Sequence, residues 1–500
     1  MNSKNEKWPW VMIVILIGSV FLEGSGYSFQ LLGMRVRSVQ VFEILFLGFL
    51  GALSLFGKWR WQKSPLDYWL LAYLSINFIA IFNSPWKARS VKIFLLLVTL
   101  ALLYWLVYQL LRTVKDIFLA FYVFLAMGTL QVLFGLYQVL AGALNHYRGW
   151  RLPIGFMGTV HREYINSVWG RPYGTQVEPD FYGAICMVFA LIFTVLYFSK
   201  SGKIKKWLLA GTLLSLLGLY FSFVRGSWLV FLLLLPLLAL CRKKISFFRF
   251  TWKSALFIIC VAVGVHVIAG NTVPPIKQIL ATRFATKVPA EIGKGAAHQD
   301  LPAGGKVSSS PLNNPKVAVK IEESTVHQDL PAGRKDFGSL LNNQNVRLIL
   351  IKISLRAWRE NPVFGNGPGS FAYFYWKDRL GEVAAQKRIA EKAFPQTNPS
   401  MLFTVLGDSG LLGFIVFMVI AGKVFLLGLK KLTGPSTTLT LNAFALFVGL
   451  AALFLSYMLT DGLWLPLTWV FLGIGMAHLR CFPGVTKKGS AGKTETEPCV

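Results

Sequence analysis

The side chains that could do chemistry in this chain are arginines and carboxylates at the edges of long apolar runs. Arg225 lies in Tyr220-Phe-Ser-Phe-Val-Arg-Gly-Ser-Trp228, with apolar residues on both sides. A charge this close to hydrocarbon is unfavourable, so it indicates a cavity or a bound partner. The guanidinium presents paired N–H donors that suit a phosphate group, which makes Arg225 a candidate catalytic residue.

A second candidate group is Gly170-Arg-Pro-Tyr-Gly-Thr-Gln-Val-Glu-Pro-Asp-Phe-Tyr-Gly183, which leads into an apolar run. Pro179 and Asp180 are typical of a helix start, where the carboxylate of Asp180 would cap the helix and balance its dipole. Glu178 follows Arg171 by seven residues. It is the better candidate for a catalytic base or an ion-pair partner.

A third group is the polar stretch after residue 345. Residues 346–359 have helical composition, and Pro362 ends that helix. Lys352, Arg356 and Arg359 fall on one narrow arc of it. Such a helix could lie on the membrane surface or direct a basic stripe at a phosphorylated lipid.

Aromatic residues and a buried carboxylate complete the candidates. The run Phe371-Ala-Tyr-Phe-Tyr-Trp376 could belong to an interfacial aromatic belt or could stack on sugars. Asp408 lies about two turns into an apolar run, and Glu43 is placed similarly in another. Either carboxylate could be structural and pair with an external arginine. The candidate substrate-binding residues are Arg171, Arg347, Arg356, Arg359, Asn398 and Trp376.

Composition indicates a polytopic membrane protein. Of 500 residues, 54% are hydrophobic and 15% are charged, against about 25% charged in an average soluble domain. The net charge of +29 would suggest a nucleic-acid partner in a soluble protein. In a membrane protein, basic residues accumulate in cytoplasmic loops, so no nucleic-acid partner is predicted.

Apolar runs of roughly 20 residues predict twelve transmembrane helices in an all-α fold. They are expected near residues 9–29, 39–57, 66–84, 90–111, 116–143, 179–199, 206–223, 227–241, 252–270, 400–427, 438–460 and 462–480. The short run 227–241 leaves open eleven spans or a bent hairpin at that place. Lys and Arg are concentrated in the loops that become cytoplasmic if both termini are cytoplasmic. The large polar interval between the ninth and tenth spans is then external.

That polar interval contains a duplication. His298-Gln-Asp-Leu-Pro-Ala-Gly304 recurs as His327-Gln-Asp-Leu-Pro-Ala-Gly333. The segment is rich in Gly, Pro, Ser and Asn, which predicts a flexible insertion. The expected organisation is 1–170 (about five spans and the first external loop), 171–270 (spans with Arg225), 271–345 (insertion), 346–399 (external lid), 400–480 (C-terminal spans) and 481–500 (cytoplasmic tail).

Several common catalytic devices are missing from the sequence. It contains no Walker A motif, no dinucleotide-binding glycine pattern on a strand, and no His, Asp and Glu cluster with metal-ligand spacing. No cofactor and no metal are therefore predicted. An external active site has no supply of nucleotide sugars, so a transferase there needs a donor such as a lipid diphosphate sugar.

Four motifs in order carry a family resemblance. They are Arg171…Gly-Thr…Glu-Pro-Asp; Ser222-Phe-Val-Arg-Gly-Ser-Trp228; Arg347…Trp358…Asn-Pro-Val-Phe-Gly-Asn-Gly-Pro-Gly-Ser-Phe371; and Asn398…Gly-Asp-Ser-Gly-Leu-Leu-Gly413. With these, the chain resembles the O-antigen ligase and polymerase family of membrane glycosyltransferases over about Arg171 to Phe425.

The resemblance implies a metal-independent, inverting transfer of a glycan from undecaprenyl diphosphate at the outer face of the plasma membrane. The acceptor would be a lipid, a protein or another lipid-linked glycan. Arg225 would hold the diphosphate. The family usually has His-Asn before the tenth span, whereas this chain has Thr397-Asn398. Threonine is no base near neutral pH. Either Glu178, His161 or another group replaces the histidine, or this member works differently or is inactive.

A transporter or flippase for lipid-linked oligosaccharides or small solutes is the alternative function. Transporters of this size typically show inverted repeats, interrupted helices and charges at the middle of the membrane. The sequence shows no clear inverted repeat, and its candidate residues fall on one predicted outer face. The sequence therefore favours the enzyme.

Overall fold

The computed structural model describes residues 8–22, 28–31, 34–148, 172, 174–176, 179–241, 248, 250–272, 343–381, 400–432, 438–460 and 462–481. The chain divides into two compact units, one formed by Met1–Ala269 with Arg347–Val500 and the other by Gly270–Val346. Almost all described residues belong to the first unit, and they are mainly helical.

The helices and strands follow the apolar runs closely. In chain order they are α1 Trp8–Phe21, β1 Ser28–Leu31, β2 Met34–Arg37, α2 Ser38–Leu55, α3 Asp67–Ala80 (extended by the 3-10 turn Ile81–Asn83), α4 Lys87–Leu110, α5 Val114–Arg148, α6 Pro179–Ser199, α7 Ile204–Ser222, α8 Arg225–Cys241, α9 Trp252–Thr272, α10 Asn343–Glu360, α11 Phe371–Leu380, α12 Met401–Leu432, α13 Thr438–Tyr457 and α14 Pro466–Arg480. Each predicted span overlaps one helix, namely α1–α9 and α12–α14.

Seven of these helices are long and apolar enough to cross a membrane, and they are α2, α4, α5, α6, α7, α12 and α13. The helices α1 and α8 are apolar but shorter. A polytopic helical membrane protein is therefore confirmed, while the number of twelve spans stays a prediction.

One short β-hairpin interrupts the otherwise helical fold and shortens the first predicted span. The first span was expected to reach residue 29, but α1 ends at Phe21 and β1 begins at Ser28. The strands β1 and β2 pair antiparallel, with Ser28 opposite Arg37. The sequence Glu23-Gly24-Ser-Gly26 explains the early end of α1, since two glycines disfavour a helix.

Among the seven candidate spans in the described residues, α6 is the most buried, and it packs mainly against α7 and α13. Its large aromatic side chains face glycines on the neighbouring helices. A Cβ added at Gly135 of α5 would lie 2.2 Å from the ring of Tyr182, and one at Gly128 would lie 1.8 Å from the ring of Phe189. These glycines let the backbones of membrane helices approach closely. The position of α6 is thereby fixed.

One set of helix ends meets in a polar cluster. Trp10 Nε1 of α1 donates to Asp116 of α5 at 2.7 Å. Gln109 at the end of α4 exchanges two hydrogen bonds with the backbone of Gln62, which precedes α3, at 2.8 and 2.6 Å. Arg480 at the end of α14 also donates to Gln62. These helix ends therefore lie together on one side of the bundle.

Candidate active site

A tight turn between α7 and α8 sets the position of Arg225. The helix α7 ends at Ser222, and Phe223 takes a left-handed conformation with φ 54°. Such a backbone is uncommon for a bulky residue and is typical of functional sites. Ser222 Oγ donates to the carbonyl of Leu219 at 2.7 Å and accepts from the N–H of Val224 at 3.3 Å. Arg225 then begins α8.

The position of Arg225 favours the binding of an anion. Its side chain is exposed and stands at the first residue of a 17-residue helix. The helix dipole does not favour a cation there, because its N-terminal end is positive. A phosphate group at this point would gain from both the guanidinium and the first N–H groups of α8.

The start of α6 packs against the same turn. A Cβ added at Gly183 would lie 2.5 Å from Cγ2 of Val224 and 2.7 Å from Oγ of Ser222. Pro179 and Asp180 open α6, as the sequence predicted. Glu178 directly precedes α6, and it lies outside the described residues together with Arg171 and His161.

The residues that follow α13 join the starts of α8 and α12. A Cβ added at Gly226 would lie 3.4 Å from Leu459. The hydroxyls of Ser227 and Ser456 lie 3.5 Å apart. The N–H of Met401 donates to the carbonyl of Thr460 at 3.2 Å. The candidates Asn398 and Thr397 immediately precede α12 and lie outside the described residues.

Gly174 and Thr175, the Gly-Thr pair of the first motif, are hydrogen-bonded to α5. Gln138 bonds both backbone groups of Gly174, at 2.8 and 3.0 Å. The hydroxyl of Thr175 donates to the side chain of Gln131. Gly174 has φ 59°, and a Cβ there would lie 2.4 Å from Nε2 of Gln131. Sequence reasoning missed both glutamines, which are buried polar residues within an apolar helix.

The helix α10 agrees with the helix predicted for residues 346–359. Lys352, Arg356 and Arg359 are exposed, whereas the opposite face is buried through Leu350, Ile353 and Ala357. The predicted basic arc is therefore present. Arg347 lies in the first turns of α10.

Two ion pairs connect α10 with the next helix, α11. Arg356 pairs with Asp378, and Nζ of Lys377 lies 3.1 Å from Oε1 of Glu360. Exposed pairs contribute little to stability, typically about 0.2–1 kcal/mol. Arg356, a candidate for binding substrate, thus already has a carboxylate partner within the lid.

The aromatic run divides into buried and accessible residues. Phe371, Tyr373 and Phe374 are buried. Trp376 is half-buried, and its ring centroid lies 5.1 Å from that of Tyr375 in an edge-on contact. Stacking on a sugar is therefore open to Tyr375 and Trp376 rather than to the whole run.

The helix α12 is interrupted where the glycine-rich loop meets it. Gly410 has φ 64° and ψ −166°, which break the helix. The N–H groups of Leu411 and Leu412 donate to the carbonyls of Pro362 and Val363 at 2.8 and 3.2 Å. The break leaves these N–H groups without acceptors inside the helix. Residues 361–370, which we call the docking loop, supply the missing acceptors.

The docking loop also donates to the first half of α12. The N–H groups of Asn366 and Gly367 bond the carbonyls of Gly407 and Asp408 at 3.0 and 2.9 Å. The side-chain amide of Asn366 bonds the carbonyl of Ala357 at 2.6 Å, which joins the end of α10 to the same place.

The two buried carboxylates have different surroundings. Asp408 is 4% exposed. Its carboxylate accepts hydrogen bonds from the N–H of Gly369 at 2.9 Å and from the hydroxyl of Ser370 at 3.2 Å. It also attracts the guanidinium of Arg89. This agrees with a structural carboxylate that has an external arginine. Glu43 is also buried, on α2, but no ion pair to it is formed within the part of the chain described above.

Comparison with known proteins supports the motif assignment. No curated protein matches the chain. The family model described as O-antigen ligase matches residues 210–418, a stretch that contains Arg225, α10, the docking loop, Asn398 and Asp408 but not Arg171 or Glu178. The resemblance inferred from the motifs is thereby confirmed: over residues 210–418, this chain matches the O-antigen ligase family.

Proposed function

We propose that this chain is a glycosyltransferase that moves a glycan from undecaprenyl diphosphate to an acceptor at the outer face of the plasma membrane. The observation that carries this proposal is the position of Arg225. It begins α8 next to the turn against which α6 starts, and the residues around the end of α13 contact both the start of α8 and the start of α12. The starts of α6, α8 and α12, where three of the four motifs fall, therefore lie near one another.

The proposed reaction is a single displacement. The acceptor hydroxyl oxygen forms a bond to the anomeric carbon, and the bond from that carbon to the diphosphate oxygen breaks. The electron pair stays on the diphosphate, whose charge Arg225 stabilises as it develops. A base removes the hydroxyl proton, and we assign this role to Glu178, which directly precedes α6. Attack from the opposite side inverts the configuration and needs no metal.

The lid formed by α10 and α11 is the proposed glycan-binding part. Arg347 and Arg359 on α10, Trp376 on α11, and Arg171 and Asn398 from neighbouring motifs are the residues assigned to the glycan and diphosphate. Arg356 contributes to substrate binding only when it leaves Asp378. In its present pairing it holds α11 against α10.

The topology proposed from the sequence completes the assignment. Both termini are cytoplasmic, and the lid is external in the plasma membrane. Residues 271–345 form an external insertion without a catalytic role. The separation of Gly270–Val346 as its own unit supports this division.

Replacing Glu178 by glutamine is expected to lower kcat by about 100-fold or more, with a small change in KM, because a positioned base contributes about 10²–10⁴-fold. The measurement is steady-state transfer by purified variants. Asp180→Asn is the matched control, since Asp180 sits in the first turn of α6 and should keep transfer within a few-fold. A full rate in Glu178→Gln together with a large loss in His161→Gln would move the role of the base to His161.

The transporter alternative draws on one observation, the interrupted helix α12. However, the docking loop of the same chain occupies that break through four backbone hydrogen bonds. Asp408 also lies only about two turns from the start of α12 rather than at its middle. Both facts favour the enzyme.

Proteoliposomes that carry a fluorescent undecaprenyl-diphosphate oligosaccharide distinguish the two functions. A transferase releases undecaprenyl diphosphate and extends or relocates the glycan. A transporter instead moves the intact lipid to the other leaflet. Translocation of intact donor without any release would reject the proposed function in favour of the transporter.

A further inference from the structure

We propose that Asp408 is a positioning residue: together with Arg89 it holds the docking loop in the break of α12, and so fixes the lid on the spans. The lid carries the residues assigned to the glycan. The inference rests on the proposed function for its catalytic consequence, but the docking itself stands on geometry alone.

The carboxylate of Asp408 uses both oxygens on the docking loop. Oδ2 accepts from the N–H of Gly369 at 2.9 Å, and Oδ1 accepts from the hydroxyl of Ser370 at 3.2 Å. Its own carbonyl accepts from Gly367 at 2.9 Å. One residue of α12 therefore contacts three of the last four residues of the loop. Hydrogen bonds to an ionised acceptor in a buried place are strong.

Arg89 supplies the opposite charge from a third element. It lies near the start of α4, is half-buried, and its guanidinium is 4.9 Å from the ring of Trp86. A Cβ added at Gly369 would lie 3.3 Å from Nε of Arg89. The guanidinium therefore stands beside the same glycine that donates to Asp408. A cation beside the buried Asp408 carboxylate lowers the cost of burying its charge.

The turn between α3 and α4 also contacts the loop. Nδ2 of Asn83 donates to the carbonyl of Gly365 at 3.3 Å. A Cβ added at Gly367 would lie 2.9 Å from Ser84 and 3.0 Å from Ser90. The loop is thus enclosed by α12 on one side and by the α3–α4 turn on the other. Since the loop directly joins α10 to α11, a shift of the loop would displace both helices.

Hydrogen exchange and kinetics on the full-length purified protein test the proposal together. In Asp408→Ala we expect amide exchange in peptides covering residues 361–370 to accelerate by about 10-fold or more. We also expect kcat/KM for an undecaprenyl-diphosphate oligosaccharide to fall by about 10- to 100-fold, because small misplacements of binding groups have effects of this size. Both effects should be intermediate in Asp408→Asn, since the amide keeps one acceptor oxygen for the loop but loses the charge and the second acceptor.

The matched control is Ser409→Ala. Ser409 is equally buried, and its hydroxyl donates within α12 to the carbonyl of Val405 at 2.7 Å. Exchange in the docking loop and kcat/KM should both stay at the wild-type values. Unchanged loop exchange in Asp408→Ala would overturn the proposal whatever the activity. Faster exchange with unchanged kcat/KM would overturn the positioning role.

A double-mutant cycle tests whether Arg89 acts through Asp408. If it does, the double variant Arg89→Gln/Asp408→Asn should show nearly the same loop exchange as Asp408→Asn alone, since the effects of coupled residues are non-additive. The single variant Arg89→Lys keeps the positive charge, so it should retain most of the protection against exchange that Arg89→Gln loses. If the two substitutions instead multiply each other's effects on the exchange rate, Arg89 acts independently of Asp408. If the wild-type protein transfers no glycan, the proposed function fails, while the exchange data still decide whether Asp408 holds the loop.

Discussion

Replacing Arg225 by alanine should abolish glycan transfer while the protein still inserts in the membrane. The guanidinium is the group that we propose stabilises charge on the leaving diphosphate, and loss of one such group lowers kcat by about 100- to 1000-fold. The side chain is exposed at the start of α8, so its removal leaves no cavity in the packed core. The measurement is long-chain glycan in cells and kcat of the purified variant.

Two further variants make this result specific. Arg225→Lys keeps the charge but loses the paired donors, so partial activity is expected. Arg60→Ala removes an exposed arginine from the opposite set of helix ends and should leave transfer unchanged. Normal long-chain glycan in Arg225→Ala would rule out the role assigned to Arg225.

Replacing Gly365 by alanine should have the largest effect on stability. Gly365 has φ 78°, and a Cβ there would lie 2.5 Å from the carbonyl oxygen of Asp408 and from the backbone nitrogen of Gly410. Strain of a non-glycine residue in such a conformation is about 1–3 kcal/mol, and overpacking adds about 1–3 kcal/mol. The backbone at residue 365 cannot move away from these atoms without separating the docking loop from α12. A lower melting temperature and lost transfer are expected.

Gly381→Ala is the matched control. Gly381 has a similar φ of 83°, but no atom of the described residues lies within 4 Å of its added Cβ. It therefore carries the backbone strain without the overlap. Thermal unfolding in detergent measures both variants. Equal losses of stability in the two would contradict close packing of the docking loop against α12.

Hydropathy predicted the positions of the spans because long apolar runs must be helical in a bilayer. The prediction of the first span was wrong after residue 21, since α1 ends at Phe21 whereas the span was expected to reach residue 29. The hairpin of β1 and β2 follows from pairing with a neighbouring strand, which single-residue hydropathy does not measure.

The candidate site was predictable only in part. Motif order identified Arg225 and the glycine-rich loop, because arginine beside hydrocarbon and repeated glycine are unusual locally. The contact between Gly365 and Asn83, 282 residues apart in sequence, depends on tertiary packing that local patterns do not encode. For the same reason the partner of Asp408 emerged only with the structure, as did the roles of Gln131 and Gln138.

The most direct test of the central claim is release of undecaprenyl diphosphate by the purified protein. The donor is an undecaprenyl-diphosphate oligosaccharide, supplied alone and with extracted envelope lipids as acceptors, in the presence of EDTA. We expect wild-type protein to release undecaprenyl diphosphate in step with glycan extension or transfer, and Arg225→Ala to release none. Donor that stays intact with wild-type protein under every acceptor condition would contradict the assignment as a glycosyltransferase.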